Sequence, residues 1–456
     1  MSFLSFFARP LAVLGGFVLI VALPVQNPII QTVYTADPAP LVHKGTLYLY
    51  TGHDEDKSNV FVMRDWRCYA TKDMVNWTDL GSPLSVKDFA WAKSDAWAGQ
   101  CIERNGKFYW YVPMNRKEGG MAIGVAVADR PEGPFRDAIG KPLVFDQFGD
   151  IDPCVFIDRD GQAYLGWGNP TYKYVRLNRD MVSYDTSVGD QGIFRGPMTV
   201  EAFGKRRTPD RATAYEEGPW LYRRKDLCYL VYAGGPVPEH LAYATASKPT
   251  GPWKYGGEIM STQGGSFTNH PGVVDYKGRT YLFYHNGALP GGGGFTRSVC
   301  VDEMRFGPDG SILPMDMTKE GPAPVAKLNP YVRNEAETIA WASGVETEPC
   351  RAGGMQVSDI DDGDSIRVRN VDFGRGAKGF SAMVAPGTGG TLELHLDAPD
   401  GLLVGQVPIG KADGPEHWRT ESAKISGAKG VHDLYLVFRG APAAKLFAID
   451  WWKFTK

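Results

Sequence analysis

The sequence predicts an all-β chain, a five-bladed β-propeller followed by a β-sandwich of jelly-roll type, and three observations predict it. One pattern recurs five times: DPAPLVHKGTLYLY from Asp37, AGQCIERNGKFYWY from Ala98, DPCVFIDRDGQAYL from Asp152, EGPWLYRRKDLCYL from Glu217 and HPGVVDYKGRTYLF from His270, at intervals of about 53 to 65 residues. Each copy reads as an apolar strand, a Gly or Asp turn and an alternating aromatic strand, which is a hairpin. A second hairpin marker follows downstream, in TKDMVNW at Thr71, ADRPEGPF at Ala128 and ASKPTGPW at Ala246, so each unit is expected to be a four-stranded sheet. No amphipathic helix pattern intervenes, which disfavours a parallel βαβ plan.

Taken in order, residues 1–26 hold one Arg followed by the apolar run LAVLGGFVLIVALPVQ, the pattern of an export signal or an amino-terminal anchor. Residues 27–325 carry the five repeats. The Pro-rich stretch GPAPVAKLNP ends them, with 326–330 as linker. Residues 331–456 are Gly-rich and short-stranded, and the alternating runs VHDLYLVFRG and LFAIDWWKF near their end suit a sandwich.

A formal charge of −3 and a pI near 6.3 supply no cationic field, which argues against nucleic acid or an anionic membrane surface as partner. No feature points to a protein partner. The six cysteines form no C-x-x-C pair, and Cys154, Cys228 and Cys300 lie in apolar runs, so they read as buried small hydrophobes.

The chemistry sits where the repeats begin. If the blades ring an axis, Asp37, Ala98, Asp152, Glu217 and His270 all face it from equivalent positions. An Asp before Pro is ordinarily a turn residue. Three acids at one repeat position point instead to glycoside hydrolysis, which needs a carboxylate to activate water and a carboxylic acid to protonate the departing oxygen. Asp37, short and set before a rigid Pro, suits the base, and Glu217, with the longer reach, suits the acid. Asp152 would raise the acid's pKa by like charge. Glu216 is expected to be turned away by strand alternation, and Asp150 lies two residues outside the shared register. His270 is either a satisfied structural residue or a ligand on the axis. Arg297, after four glycines, is a candidate substrate contact or a surface ion pair, and Trp97 a candidate floor for a sugar or a core residue.

Residues 27 to about 325 resemble glycoside hydrolase family 43, on the motifs TADPAP, SDAWAGQ, RNGKFYWYVP, GDIDPCVFID and EEGPWLY. The resemblance implies Asp37 as general base, Asp152 as pKa modulator and Glu217 as general acid, with inversion at the anomeric carbon. It also implies a water-held calcium near His270 and a glycon contact from Arg297. Residues 331–456 resemble a family 6 carbohydrate-binding module, on NEAETIAWASGVETE, DIDDGDSIRVRNVDFG, HDLYLVFRG and FAIDWWKF. By that likeness Glu335, Glu337 and Asp450 form a structural calcium site. The chain departs from the module's pattern where Ser365 and Val368 stand in aromatic positions and Ala448 replaces an Asn, which weakens the expected sugar cleft.

The expectation is an exported, inverting exo-glycosidase that removes α-L-arabinofuranosyl or β-D-xylosyl units from xylan-type plant cell-wall polysaccharide or its oligosaccharides. The alternatives are a β-xylosidase, an endo-arabinanase of the same fold, and a non-catalytic sugar-binding propeller.

Overall fold

The computed structural model describes residues 25–146, 149–412 and 417–456, so the apolar leader expected over 1–26 lies outside the described residues except for Val25 and Gln26. Among the described residues the chain is all-β. Helix is confined to one turn, Val200–Phe203, and a 3-10 turn, Val86–Asp88.

Five antiparallel sheets follow one another along the chain. The repeats open in them with Tyr34–His43, Gln100–Arg104, Cys154–Ile157, Tyr215–Arg224 and Gly272–Tyr276, the opening strands, and each of these pairs with the next strand in sequence as a hairpin. Turn chemistry sets three of the hairpins. Lys44-Gly45, Asn105-Gly106 and Lys277-Gly278 have φ of 47 and 79, 54 and 76, and 47 and 80 degrees, the mirror-image turn whose twist matches paired strands. The opening strand of each sheet lies against the opening strand of the next, and that of the fifth lies against that of the first. The shared core between sheets is aromatic: Tyr50, Trp66 and Trp110 are buried together, with the Tyr50 and Trp110 rings 4.7 Å apart in edge contact.

The sheets are not uniform, which corrects the expectation of four strands each. The fifth has three, Gly272–Tyr276, Arg279–Asn286 and Ser298–Met304. Its free edge is covered from the other end of the chain: Ile29 N–H donates to Val299 O (2.9 Å), and Asn27 exchanges bonds with Val301, Nδ2 to O at 3.1 Å and N–H to Oδ1 at 3.0 Å. No downstream hairpin motif follows the fifth repeat because the amino-terminal segment already fills that place.

The last 120 or so residues form two further antiparallel sheets. Phe373, Phe380, Phe438 and Trp452 are buried together in one apolar core with strands of both. Val368 belongs to that core and is fully buried, so it does not occupy a cleft position. Thr338–Ile339 pairs with Trp77–Asp79, the outer strand of the first sheet, and Thr347 Oγ1 donates to Asp79 Oδ2 (2.6 Å). Asn76 and Arg369 bond each other reciprocally at 2.9 and 2.8 Å. The carboxy-terminal part thereby covers an edge that would otherwise be open to other chains. All six cysteines are buried and free, as small core residues.

Candidate active site

Where the five opening strands meet, a cavity of about 420 Å³ is lined by Asp37, Asp152, Glu217, His270, Arg297 and Trp97. Ala98 lines it too, so every repeat contributes the residue at its start. The volume is near the small end of ligand pockets, roughly 300 to 1,000 Å³.

The backbone makes the acids converge. Asp37 and Asp152 both adopt left-handed conformations, with φ of 53 and 57 degrees, immediately before Pro. A non-glycine residue there is disfavoured by about 1–2 kcal/mol, and such strain collects at functional sites. Glu217 corrects the expected register. In its repeat Gly218 holds the left-handed position before Pro, at φ 58 degrees, and Glu217 stands one residue earlier. The strand is bulged on both sides of Glu217, as Tyr34–His43 is bulged around Asp37. The longer side chain and the bulge together bring Glu217 to the same cavity. The bulge also breaks simple alternation, so Glu216 lines the cavity as well instead of turning away. Glu216 is held there by Arg206 (2.5 Å) and by Arg211. Asp150 is buried and accepts bonds from Trp167 Nε1 (2.7 Å) and Lys173 Nζ (3.0 Å).

The acids differ in their partners. Arg297 is spent on the first sheet: its Nε and Nη2 donate to Asp54 at 2.9 Å each, and its Nη1 to Asp37 Oδ1 at 3.1 Å. Its guanidinium also sits 4.7 Å from the centre of the Phe61 ring. It is a buried ion-pair hub rather than a surface salt bridge. Burial raises Asp37 to about 6, Arg297 opposing and Asp54 adding to the rise. Asp152 accepts from Gly218 N–H (2.9 Å) and is pushed well above the usual carboxylate range by burial, then by the charges of Glu217 and Asp37. Glu217 is raised chiefly by burial, with Asp37 and Glu216 adding to it, while a 2.5 Å bond from Asn169 Nδ2 to Oε2 acts the other way. The His270 imidazole is lowered to about 3 by burial and then by Arg297, which leaves it neutral throughout the physiological range. Trp97 packs near Phe61, with ring centres 6.2 Å apart.

Two residues at the cavity had no signal in the repeat. Glu239 opens a third strand rather than a first one, in GPVPEHL. It is buried, accepts from Asn269 N–H (2.7 Å) through Oε2, and has no partner for Oε1. Burial and then Glu217 push it far up. Asn169 stands in a loop, in WGNPTY, and nothing local in the sequence ties it to an acid 48 residues away.

The predicted carboxy-terminal acids lie apart from the cavity. Glu335 accepts from Arg333 Nη2 (2.7 Å), and the same guanidinium reaches Asp450 at 3.3 Å. Glu337 is buried, with Oε2 unpartnered, and burial lifts it to about 9. Among the described residues no three His, Cys, Asp or Glu side chains are grouped as they stand to hold a metal ion. A second cleft of about 400 Å³ in this part is lined by Trp418, Phe447, Ala448 and Gln356.

Residues 25–312 match the model of glycosyl hydrolases family 43, and residues 335–456 that of carbohydrate binding module family 6. The chain is 33% identical to an arabinoxylan arabinofuranohydrolase of Bacillus subtilis (strain 168), over 94% of this chain and 92% of that protein. It is 31% identical to xylosidase/arabinosidase 43A of Humicola insolens, over 63% of this chain and 98% of that one. A crystal structure of a family 43 arabinoxylan arabinofuranohydrolase from Bacillus subtilis with cellotetraose superposes with a TM-score of 0.80 at 31% identity, covering 95% of this chain and 98% of that one.

Proposed function

Since the chain belongs to glycosyl hydrolase family 43 and is a glycoside hydrolase, we propose that it is an inverting exo-glycosidase releasing α-L-arabinofuranosyl units from arabinoxylan or its oligosaccharides. Release of β-D-xylosyl units is the second reading, favoured by the likeness to a xylosidase/arabinosidase. The similarity to arabinoxylan arabinofuranohydrolases over both parts of the chain supports the first.

The observation that carries the mechanism is the unequal treatment of the three acids. Asp37 is paired with Arg297, which opposes its upward shift, so it ionises near pH 6 and can take a proton from water. Glu217 forms no ion pair among the described residues, burial outweighs the distant pull of Arg297, and the raised carboxyl keeps its proton for the departing sugar oxygen. Asp152, fixed by Gly218 N–H beside Glu217, is itself held well above the usual carboxylate range, so the two neighbouring carboxyls do not both ionise and a proton is kept at the pair. The cavity takes a terminal sugar ring, which favours exo action over an endo-arabinanase's open groove.

In this reading the five sheets are blades of a five-bladed β-propeller over 27–325. The contact of each opening strand with the next, and of the fifth with the first, supports it. Residues 331–456, beyond the 326–330 linker, are a β-sandwich carbohydrate-binding module, supported by one core between two sheets. Export, through the apolar leader, fits a polymer that cannot enter the cell. A structural calcium at Glu335, Glu337 and Asp450 is supported by the unpartnered Glu337 oxygen, and the ion would displace Arg333. A water-held calcium near His270 is supported by its neutral imidazole.

Incubation with nitrophenyl α-L-arabinofuranoside, nitrophenyl β-D-xyloside and arabinoxylan tests the proposal. Free arabinose as first product, of inverted anomeric configuration by NMR, is expected. Oligosaccharides as first products would indicate endo action, and binding without turnover a non-catalytic propeller.

A further inference from the structure

We infer that Asn169 is a positioning residue for the acid of this reaction: its amide fixes Glu217 so that Oε1, not Oε2, carries the proton into the cavity. The inference rests on the assignment of Glu217 as acid. It deepens that assignment by naming what aims the proton.

The contact is direct. Asn169 Nδ2 donates to Glu217 Oε2 at 2.5 Å, and both residues line the cavity. A carboxylic acid has one oxygen that accepts and one that donates. With Oε2 occupied by an amide donor, the proton rests on Oε1, the oxygen left free for substrate. Without that bond the carboxyl could place its proton on either oxygen and turn it from the scissile bond, and misplacement of a catalytic group by about an ångström costs on the order of a hundredfold.

The amide is held as firmly as the acid. Asn169 belongs to the loop after strand Ala163–Trp167 of the third sheet, and Glu217 to the opening strand of the fourth. Three bonds clamp the loop: Gly168 N–H to Ile151 O (3.0 Å), Asn169 N–H to Gly149 O (3.2 Å) and Tyr215 Oη to Gly168 O (2.8 Å). Tyr215 lies two residues before Glu217, so one short stretch of the fourth sheet anchors both ends of the contact. Gly149 is also required, since a side chain there would run into the Asn169 carbonyl. A bond made only for packing would have no need of the face that opens to the cavity.

Acid assistance matters in proportion to how poor the leaving group is. A dinitrophenolate departs nearly unaided, whereas a sugar oxygen must be protonated. Asn169→Leu, which keeps the approximate shape but removes the amide donor without adding charge, and Asn169→Ala are therefore compared with the parent on 2,4-dinitrophenyl arabinofuranoside and on arabinoxylan. The expected result is a fall in kcat/KM of roughly 10- to 100-fold on arabinoxylan and less than about threefold on the aryl glycoside. The alkaline limb of the pH profile should move upward, because a donor that stabilises the charged Glu217 has been removed. Equal losses on both substrates with an unmoved limb would overturn the inference and leave a packing role. Unchanged activity on arabinoxylan would overturn it too. Thermal melts identify any variant that fails to fold, and the similarly sized Asn169→Leu keeps the test decisive if Asn169→Ala does so. A parent enzyme inactive on every glycoside would instead count against the functional reading itself.

Discussion

At the scale of single residues, the site works by giving similar carboxyls different company. Asp37 is the clearest case, because its pKa near 6 makes a statement about stability as well as rate. The folded state holds its proton more tightly than the unfolded chain, whose ordinary value is 3.8. Ionising it therefore weakens the fold progressively between those two values, and the full cost applies above about pH 6. Asp37→Asn should raise stability by about 2–3 kcal/mol at pH 8 and leave it unchanged below pH 3.8, read as melting temperature at both pH values. The same variant should lose roughly 10²- to 10⁴-fold in kcat/KM. The acid limb of kcat/KM in the parent should fall near pH 6, and Arg297→Met should move it upward by removing the opposing cation. Asp37, Asp152 and Glu217 were legible in the sequence because each stands one or two residues before a Pro in a recurring pattern. Glu239 and Asn169 were not, since one opens a third strand and the other stands in a loop, and only the closing of neighbouring sheets brings them to Glu217.

At the scale of elements, the hairpins were legible for a local reason. Lys-Gly and Asn-Gly turns between alternating strands specify their own geometry within a few residues. The bulges around Asp37 and Glu217 were hidden, because an inserted residue leaves no mark on composition; they explain why adjacent Glu216 and Glu217 reach one cavity. The three-stranded fifth sheet was hidden too, its missing partner being supplied from the far end of the chain. Asn27 shares that edge with Ile29 and is the residue that joins Val301 and Thr318 (3.0 Å). Asn27→Ala should lower stability by about 1–3 kcal/mol through the orphaned Val301 groups, measured by denaturant unfolding, with kcat little changed.

For the whole molecule, the two parts recognised from sequence behave as one body at their junction. Thr338–Ile339 extends the first sheet, and Asp79, held by Arg67 at 2.8 Å, also receives Thr347. A protein ending at residue 330 should expose the Trp77–Asp79 edge and aggregate, seen as light scattering below the melting temperature of the full chain. The amino-terminal clasp sets a timetable as well. Asn27 leaves the ribosome 274 residues before Val301, its partner. At about 5–20 residues per second, that is a delay of roughly 15 to 55 s. Throughout it the amino-terminal segment waits without the strand that it will cover.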